Sequence, residues 1–119
     1  MRVLIVDDNA AFLAAARLLL EREGLEVVGV ALTASEALER AERLRPDVLL
    51  VDITLDGESG FELARRVEHD PACRGAVVLI STHSEDDFAD LIAESPAIGF
   101  LPKSELAAAA VHEIVNRGG

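Results

Sequence analysis

Residues 47–63, D-V-L-L-V-D-I-T-L-D-G-E-S-G-F-E-L, decide the fold. Val48, Leu49, Leu50 and Val51 form an unbroken apolar run, and Asp52 follows it directly. A run this short, without polar alternation, predicts a strand buried on both faces. Ser59 with Glu62 three residues later is a capping box, so a helix opens there and ends near Asp70-Pro71. The same unit of apolar strand and capped helix recurs outward in both directions. Strands are predicted over Arg2–Val6, Glu26–Ala31, 47–51, 76–80 and 97–101. Asn9 caps a first helix running to about Glu23, where Gly24 supplies a left-handed stop. Thr33 and Glu36 form the capping box of a second helix, which ends near Leu44 before Pro46. Ser84 opens a fourth helix through Glu85, Asp86 and Asp87, whose charges favour a helix N-terminus. Ser104 opens a fifth, from Glu105 to about Asn116, closed by Gly118-Gly119. Five strand–helix units in succession predict an α/β fold: one parallel sheet, helices on both faces and right-handed crossovers, as a single domain over residues 1–119.

Composition removes other classes. The chain has 119 residues and a formal net charge of -11. Its basic residues are ten arginines and one lysine, Lys103. A domain this acidic, with no basic run, does not bind nucleic acid through its own surface. The apolar run 12–20 is interrupted by Arg17 and followed by Glu21, Arg22 and Glu23, too short and too charged for a membrane span or a signal peptide core. Lone Cys73 excludes an internal disulfide and a Cys-rich metal site; it reads as an inert loop residue, and a reducing cytoplasm fits it.

In an open parallel sheet, ligands bind beyond the carboxyl ends of the strands. The first predicted strand ends in Asp7-Asp8, the third in Asp52, the fourth in Ser81-Thr82 and the fifth near Lys103. Clustered carboxylates repel one another unless a cation intervenes. An all-oxygen set without His or Cys suits a hard cation such as Mg²⁺. A carboxylate can attack phosphorus to form an aspartyl phosphate, while Lys103 and the Ser81 hydroxyl meet the transferred oxygens. The groups needed for phosphoryl transfer to a carboxylate are all present.

Four motifs in order carry a resemblance: V-L-I-V-D-D-N at 3–9, the stretch at 47–63, V-V-L-I-S-T at 77–82 and G-F-L-P-K-S at 99–104. Together they resemble the receiver domain of two-component response regulators over essentially the whole chain. The resemblance implies a flavodoxin-like doubly wound fold with strand order 2-1-3-4-5. It implies that Asp52 is the phosphoacceptor, supplied by a sensor histidine kinase or phosphotransfer protein. It implies that Asp7 and Asp8 hold Mg²⁺ with Asp52 and the backbone carbonyl of Thr54. Ser81 and Lys103 would take up the phosphoryl group, with Ser81 and Phe100 as the switch pair. Phosphorylation would then alter the surface of the fourth helix, fifth strand and fifth helix, to control an output domain or downstream protein, with transcription regulation the expected output. Such a domain is cytoplasmic, touches no membrane and catalyses only its own phosphorylation and dephosphorylation. Homodimerisation through the last two helices is a further expectation of the family.

Three positions depart from the family pattern. Ser104 follows Lys103 where many receivers have a cis-linked proline, and this variant resembles receivers joined to helix-turn-helix output domains. Asp56 stands where proline is common, and Thr82 where Ala or Gly is usual. Thr82 and Asp56 are therefore expected to modulate the phosphoryl lifetime, as is His83, which lies two residues after Ser81 where the family varies. His69 and His112 read as surface residues, and Phe12, Phe61 and Phe88 as helix packing. Two other readings compete. A pseudo-receiver, a binding module that is not phosphorylated, is opposed by the intact acids and lysine. An aspartyl-phosphate phosphatase usually carries a second acid two residues after the nucleophile, where this chain has Thr54.

Overall fold

The computed structural model describes residues 1–118. Its elements are β1 (Arg2–Val6), α1 (Ala10–Arg22), β2 (Glu26–Ala31), α2 (Ala34–Leu44), β3 (Val48–Asp52), β4 (Thr54–Leu55), β5 (Glu58–Ser59), α3 (Gly60–His69), β6 (Ala76–Ser81), α4 (Ala89–Glu94), β7 (Gly99–Pro102) and α5 (Ala108–Gly118). Five strands form one parallel sheet in the order β2-β1-β3-β6-β7. The two-residue strands β4 and β5 pair only with each other, as an antiparallel hairpin. Counted among the sheet's own strands, the order is therefore the expected 2-1-3-4-5.

Both faces of the sheet are covered, and alternate residues of β3 divide between them. Val48 and Leu50 join Val3, Ile5, Val78 and Ile80 under α1 and α5, where Leu13, Ala16, Leu20, Val111 and Ile114 pack. Leu49 and Val51 join Leu4, Val6, Val77 and Leu79 under α2 and α3, where Ala37, Ala41, Leu63, Ala64 and Val67 pack. This accounts for the unbroken apolar runs: no strand-interior side chain of β3 faces water. Each fully buried Val, Leu or Ile contributes about 1.5–3 kcal/mol before conformational entropy is charged against it.

Local signals set the helix ends. Asn9 Oδ1 accepts the N–H groups of Ala11 and Phe12. Thr33 Oγ1 accepts from Glu36 N–H, and Glu36 reaches back to Leu32 N–H, one residue before the usual capping-box donor. Gly24, at φ 97°, stops α1 as its sequence position predicts.

The structure corrects several boundaries. β3 starts at Val48 and includes Asp52, and β7 spans Gly99–Pro102 rather than 97–101. The fourth helix is broken into a 3₁₀ turn, Glu85–Phe88, and the short α4; Ser84 makes no side-chain cap. Three consecutive acids favour an N-terminus but leave the turn without a buried residue, and Phe88 has no side-chain oxygen with which to cap α4. Ser104 does not open α5. It lies in a 3₁₀ turn, Lys103–Glu105, and α5 begins at Ala108. The predicted stop at Gly118-Gly119 ends on Gly119, outside the described residues. No cis peptide bond occurs among the described residues.

Candidate functional site

Sheet register assembles the site. Val6 of β1 stands opposite Val51 of β3, so Asp7 and Asp52 emerge side by side one step further on. Asp52 stands opposite Ile80, and Ser81 opposite Pro102, which brings Ser81 and Lys103 to the same edge. Among the described residues the buried polar side chains are Asp7, Asp52 and Ser81, all three at this edge.

Lys103 joins the two buried acids. Its Nζ donates to Asp52 Oδ2 at 2.9 Å and forms an ion pair with Asp7 Oδ2 at 2.5 Å. The second approach misses the hydrogen-bond direction, so Asp7 Oδ2 is buried without a directed donor among the described residues. The other oxygens are held by backbone N–H groups: Asn9 donates to Asp7 Oδ1 at 2.8 Å and Thr54 to Asp52 Oδ1 at 3.0 Å. Asp8 is exposed at the mouth, and one carboxylate oxygen from each of Asp7, Asp8 and Asp52 lies within 4.8 Å of the others. Three hard oxygen donors, with no nitrogen or sulfur among them, fit a hard divalent cation better than a soft one.

Burial pushes the Asp52 carboxyl above its ordinary value, against the opposing effects of Lys103 and the Thr54 N–H; the Asp7 charge adds to the rise. For Lys103, burial acts downward, but the carboxylates of Asp7 and Asp52 outweigh it and the net shift is upward. The ammonium therefore stays charged throughout the physiological range.

The remaining expected residues sit around this core. Ser81 is 3% exposed, and its Oγ accepts the His83 N–H at 3.0 Å, so the hydroxyl engages the following loop rather than the acids. Thr82, His83 and Asp56 are exposed. The His83 ring stands edge-on to Phe88, with centroids 5.8 Å apart. Phe100 is buried in the core on the α2 and α3 face. Phe61 is core and Phe88 packs against it, in keeping with their sequence positions. His69 and His112 are exposed, as expected. Cys73 donates weakly to Asp70, and burial with the Asp70 charge pushes its thiol up to about 11, which keeps it protonated and unreactive.

Two contributors escape sequence reasoning. The Lys103 ammonium lies over the ring of Phe12, 4.4 Å from the centroid. In sequence Phe12 reads as packing, and its spacing from Asp8 gives no warning of this contact. Gly60 lies against the Asp52 backbone, where an added Cβ would come within 2.9 Å of the carbonyl carbon, and its N–H donates to Ile53 O at 2.7 Å. A glycine directly after a capping serine is the available signal.

Among the described residues, no helix is long and apolar enough to cross a membrane.

Comparison with known proteins agrees with this geometry. A family profile described as the response regulator receiver domain matches residues 3–116. The response regulator GacA of Pseudomonas viridiflava is 34% identical over 105 residues, covering 87% of this chain and 48% of that protein. Protein-glutamate methylesterase/protein-glutamine glutaminase 5 of Myxococcus xanthus is 35% identical, covering 100% of this chain and 34% of that protein. The chain thus spans half or less of these curated relatives. Among solved structures, the signal receiver domain of the response regulator NarL from Mycobacterium tuberculosis superposes with a TM-score of 0.83 at 30% identity, covering 98% of this chain and 94% of that one.

Proposed function

Because the chain belongs to the response regulator receiver domain family, we propose that it is a phosphorylation-operated switch of a two-component system, with Asp52 as phosphoacceptor. The observation that carries this is the meeting of Asp7, Asp8, Asp52 and the only lysine of the chain at one sheet edge, with Lys103 2.9 Å from Asp52 Oδ2.

A sensor histidine kinase or phosphotransfer protein presents a phosphohistidine. An ionised Asp52 oxygen attacks phosphorus, the P–N bond breaks as the O–P bond forms, and the imidazole leaves with the electron pair. Asp7, Asp8, Asp52 and the Thr54 carbonyl would hold Mg²⁺, which supplies neutralisation of charge on the transferring group. Lys103 exchanges its Asp52 contact for a phosphoryl oxygen, so a cation already in place meets the developing charge. Ser81 gives up the His83 N–H and turns its hydroxyl to a further phosphoryl oxygen. That draws in the loop at residues 82–84 and changes the surface formed by α4, β7 and α5, while Phe100, already buried here, is held inward. One phosphoryl group can bias two packings that lie close in energy.

This reading makes the chain a cytoplasmic signalling domain over residues 1–119 rather than an enzyme with a turnover substrate. It catalyses its own phosphorylation and dephosphorylation, and its output is an attached or separate regulator, transcription regulation being the favoured case. Homodimerisation belongs to the same reading.

The test is incubation with Mg²⁺ and a small phosphodonor, followed by intact-mass measurement. One added phosphoryl mass is expected, absent in Asp52→Asn. No adduct from small donors or from a cognate kinase would favour a pseudo-receiver instead.

A further inference from the structure

Lys103 is held by three groups, and only two of them are acids. The third is the face of Phe12, 4.4 Å from Nζ to the ring centroid. A cation over an aromatic face is attracted by the ring quadrupole. The backbone that carries the ring is also tied to the acids. Asn9 N–H donates to Asp7 Oδ1 at 2.8 Å, and Asn9 Oδ1 accepts the Phe12 N–H at 3.1 Å. One turn of chain therefore sets both Asp7 and Phe12. The half-buried ring packs along the edge of the core under α1, while the lysine side chain remains 15% exposed.

We propose that Phe12 is a positioning residue for phosphoryl transfer to Asp52, its ring face holding the Lys103 ammonium at the pocket while the ammonium changes partners from carboxylate to phosphoryl oxygen. The inference rests on the receiver reading given above. The physical reason is that the ring restricts the flexible lysine stem without occupying any N–H direction that an oxygen needs. An ammonium already confined loses less freedom when charge develops on the transferring group. An aliphatic side chain of similar bulk fills the same space but offers no negative face.

Lys103 is the only lysine, so lysine labelled with ¹³C at Cε gives a single side-chain signal for the whole chain. The experiment compares wild type, Phe12→Leu and Phe12→Tyr, by NMR of that signal and by the rate of phosphorylation with acetyl phosphate and Mg²⁺. In wild type the Cε protons are expected upfield, displaced by the ring current. Phe12→Leu should lose the displacement and slow phosphorylation about two- to fivefold, the loss of one partly exposed cation–π contact. Phe12→Tyr, which keeps the ring face, should retain both the displacement and the rate. The proposal is overturned if the Lys103 signal is the same in wild type and Phe12→Leu, if the displacement is lost with no change in rate, or if Leu and Tyr slow the reaction equally. If wild type takes up no phosphoryl group at all, the receiver reading fails and this inference with it; a spectral difference alone would then report only a ring–amine contact.

Discussion

Replacing Lys103 with methionine removes the cation shared by Asp7 and Asp52 while keeping most of the stem's bulk. Asp7 is fully buried and Asp52 is 7% exposed, so neither carboxylate can recover full hydration. At an effective dielectric of about 20, one charge pair at about 4 Å is worth roughly 4 kcal/mol before desolvation is counted. Removing one partner of a buried pair costs about 3–5 kcal/mol. The lysine side chain is 15% exposed and the pocket opens to water beside Asp8, which places the expected loss near the lower bound, about 3 kcal/mol. For a chain of this length that is on the order of 10 °C in Tm.

The loss should depend on pH. Burial already raises the Asp52 carboxyl in the folded state, and removing Lys103 takes away an effect that opposes the rise. A folded-state value raised above the unfolded one contributes stability that is present below the unfolded value and is lost as pH rises through the folded one. The gap between Lys103→Met and wild type should therefore be smallest below the ordinary aspartate range and largest at neutral pH. Mg²⁺ should narrow it, because the variant pocket carries one more net negative charge and would bind the ion more tightly, and ligand binding stabilises by mass action. Thermal unfolding followed by far-UV circular dichroism, at pH 4 and pH 7 with and without Mg²⁺, gives all four values. Equal stability of the two proteins at neutral pH without metal, or equal Mg²⁺ stabilisation of both, would show that Lys103 does not hold the two acids in this way.

Three other outcomes are expected from the same geometry. On the proposed function, Thr82→Ala should shorten the lifetime of phosphorylated Asp52, because exposed Thr82, next to Ser81, would shield the phosphoryl group from water; equal dephosphorylation rates would contradict this. Gly60→Ala should destabilise by about 1–3 kcal/mol and slow phosphorylation, since its Cβ must displace the Asp52 backbone; unchanged unfolding and unchanged phosphorylation together would remove that role. The exposed acids Asp86, Asp87 and Asp90 lie in a segment, 75–102, that holds no Lys or Arg, so a partner docking there presents basic residues. Neutralising the three should weaken the partner complex and flatten its salt dependence, which titration at two ionic strengths measures.

The parts of this fold legible in the sequence are those with strong local signals. Apolar runs without alternation mark each strand of the sheet, and Asn9, Thr33, Ser59 and Gly24 mark helix ends. The acid cluster is legible because strand ends in a parallel sheet converge: Asp7, Asp8, Asp52 and Lys103 need only the strand order to meet. The features that escape depend on backbone geometry or on distant contacts. The β4–β5 hairpin has two-residue strands, too short for any periodicity, although Asp56-Gly57 is an available turn signal. Ser84 and Ser104 look like caps, but their turns close as 3₁₀, and α5 starts only where Ala108 and Val111 reach the core. Phe12 meets Lys103 only because α1 and the end of β7 flank the same pocket, a tertiary fact with no trace in local spacing.

If Asp52 accepts the phosphoryl group, borohydride trapping will mark that position. After reaction with acetyl phosphate and Mg²⁺, reduction of an aspartyl phosphate leaves homoserine at the modified position, which peptide mass spectrometry locates. Homoserine is expected at position 52 and at no other aspartate. Homoserine at Asp7 or Asp8 with Asp52 unchanged, or none at all from a donor that does add a phosphoryl mass, would contradict it.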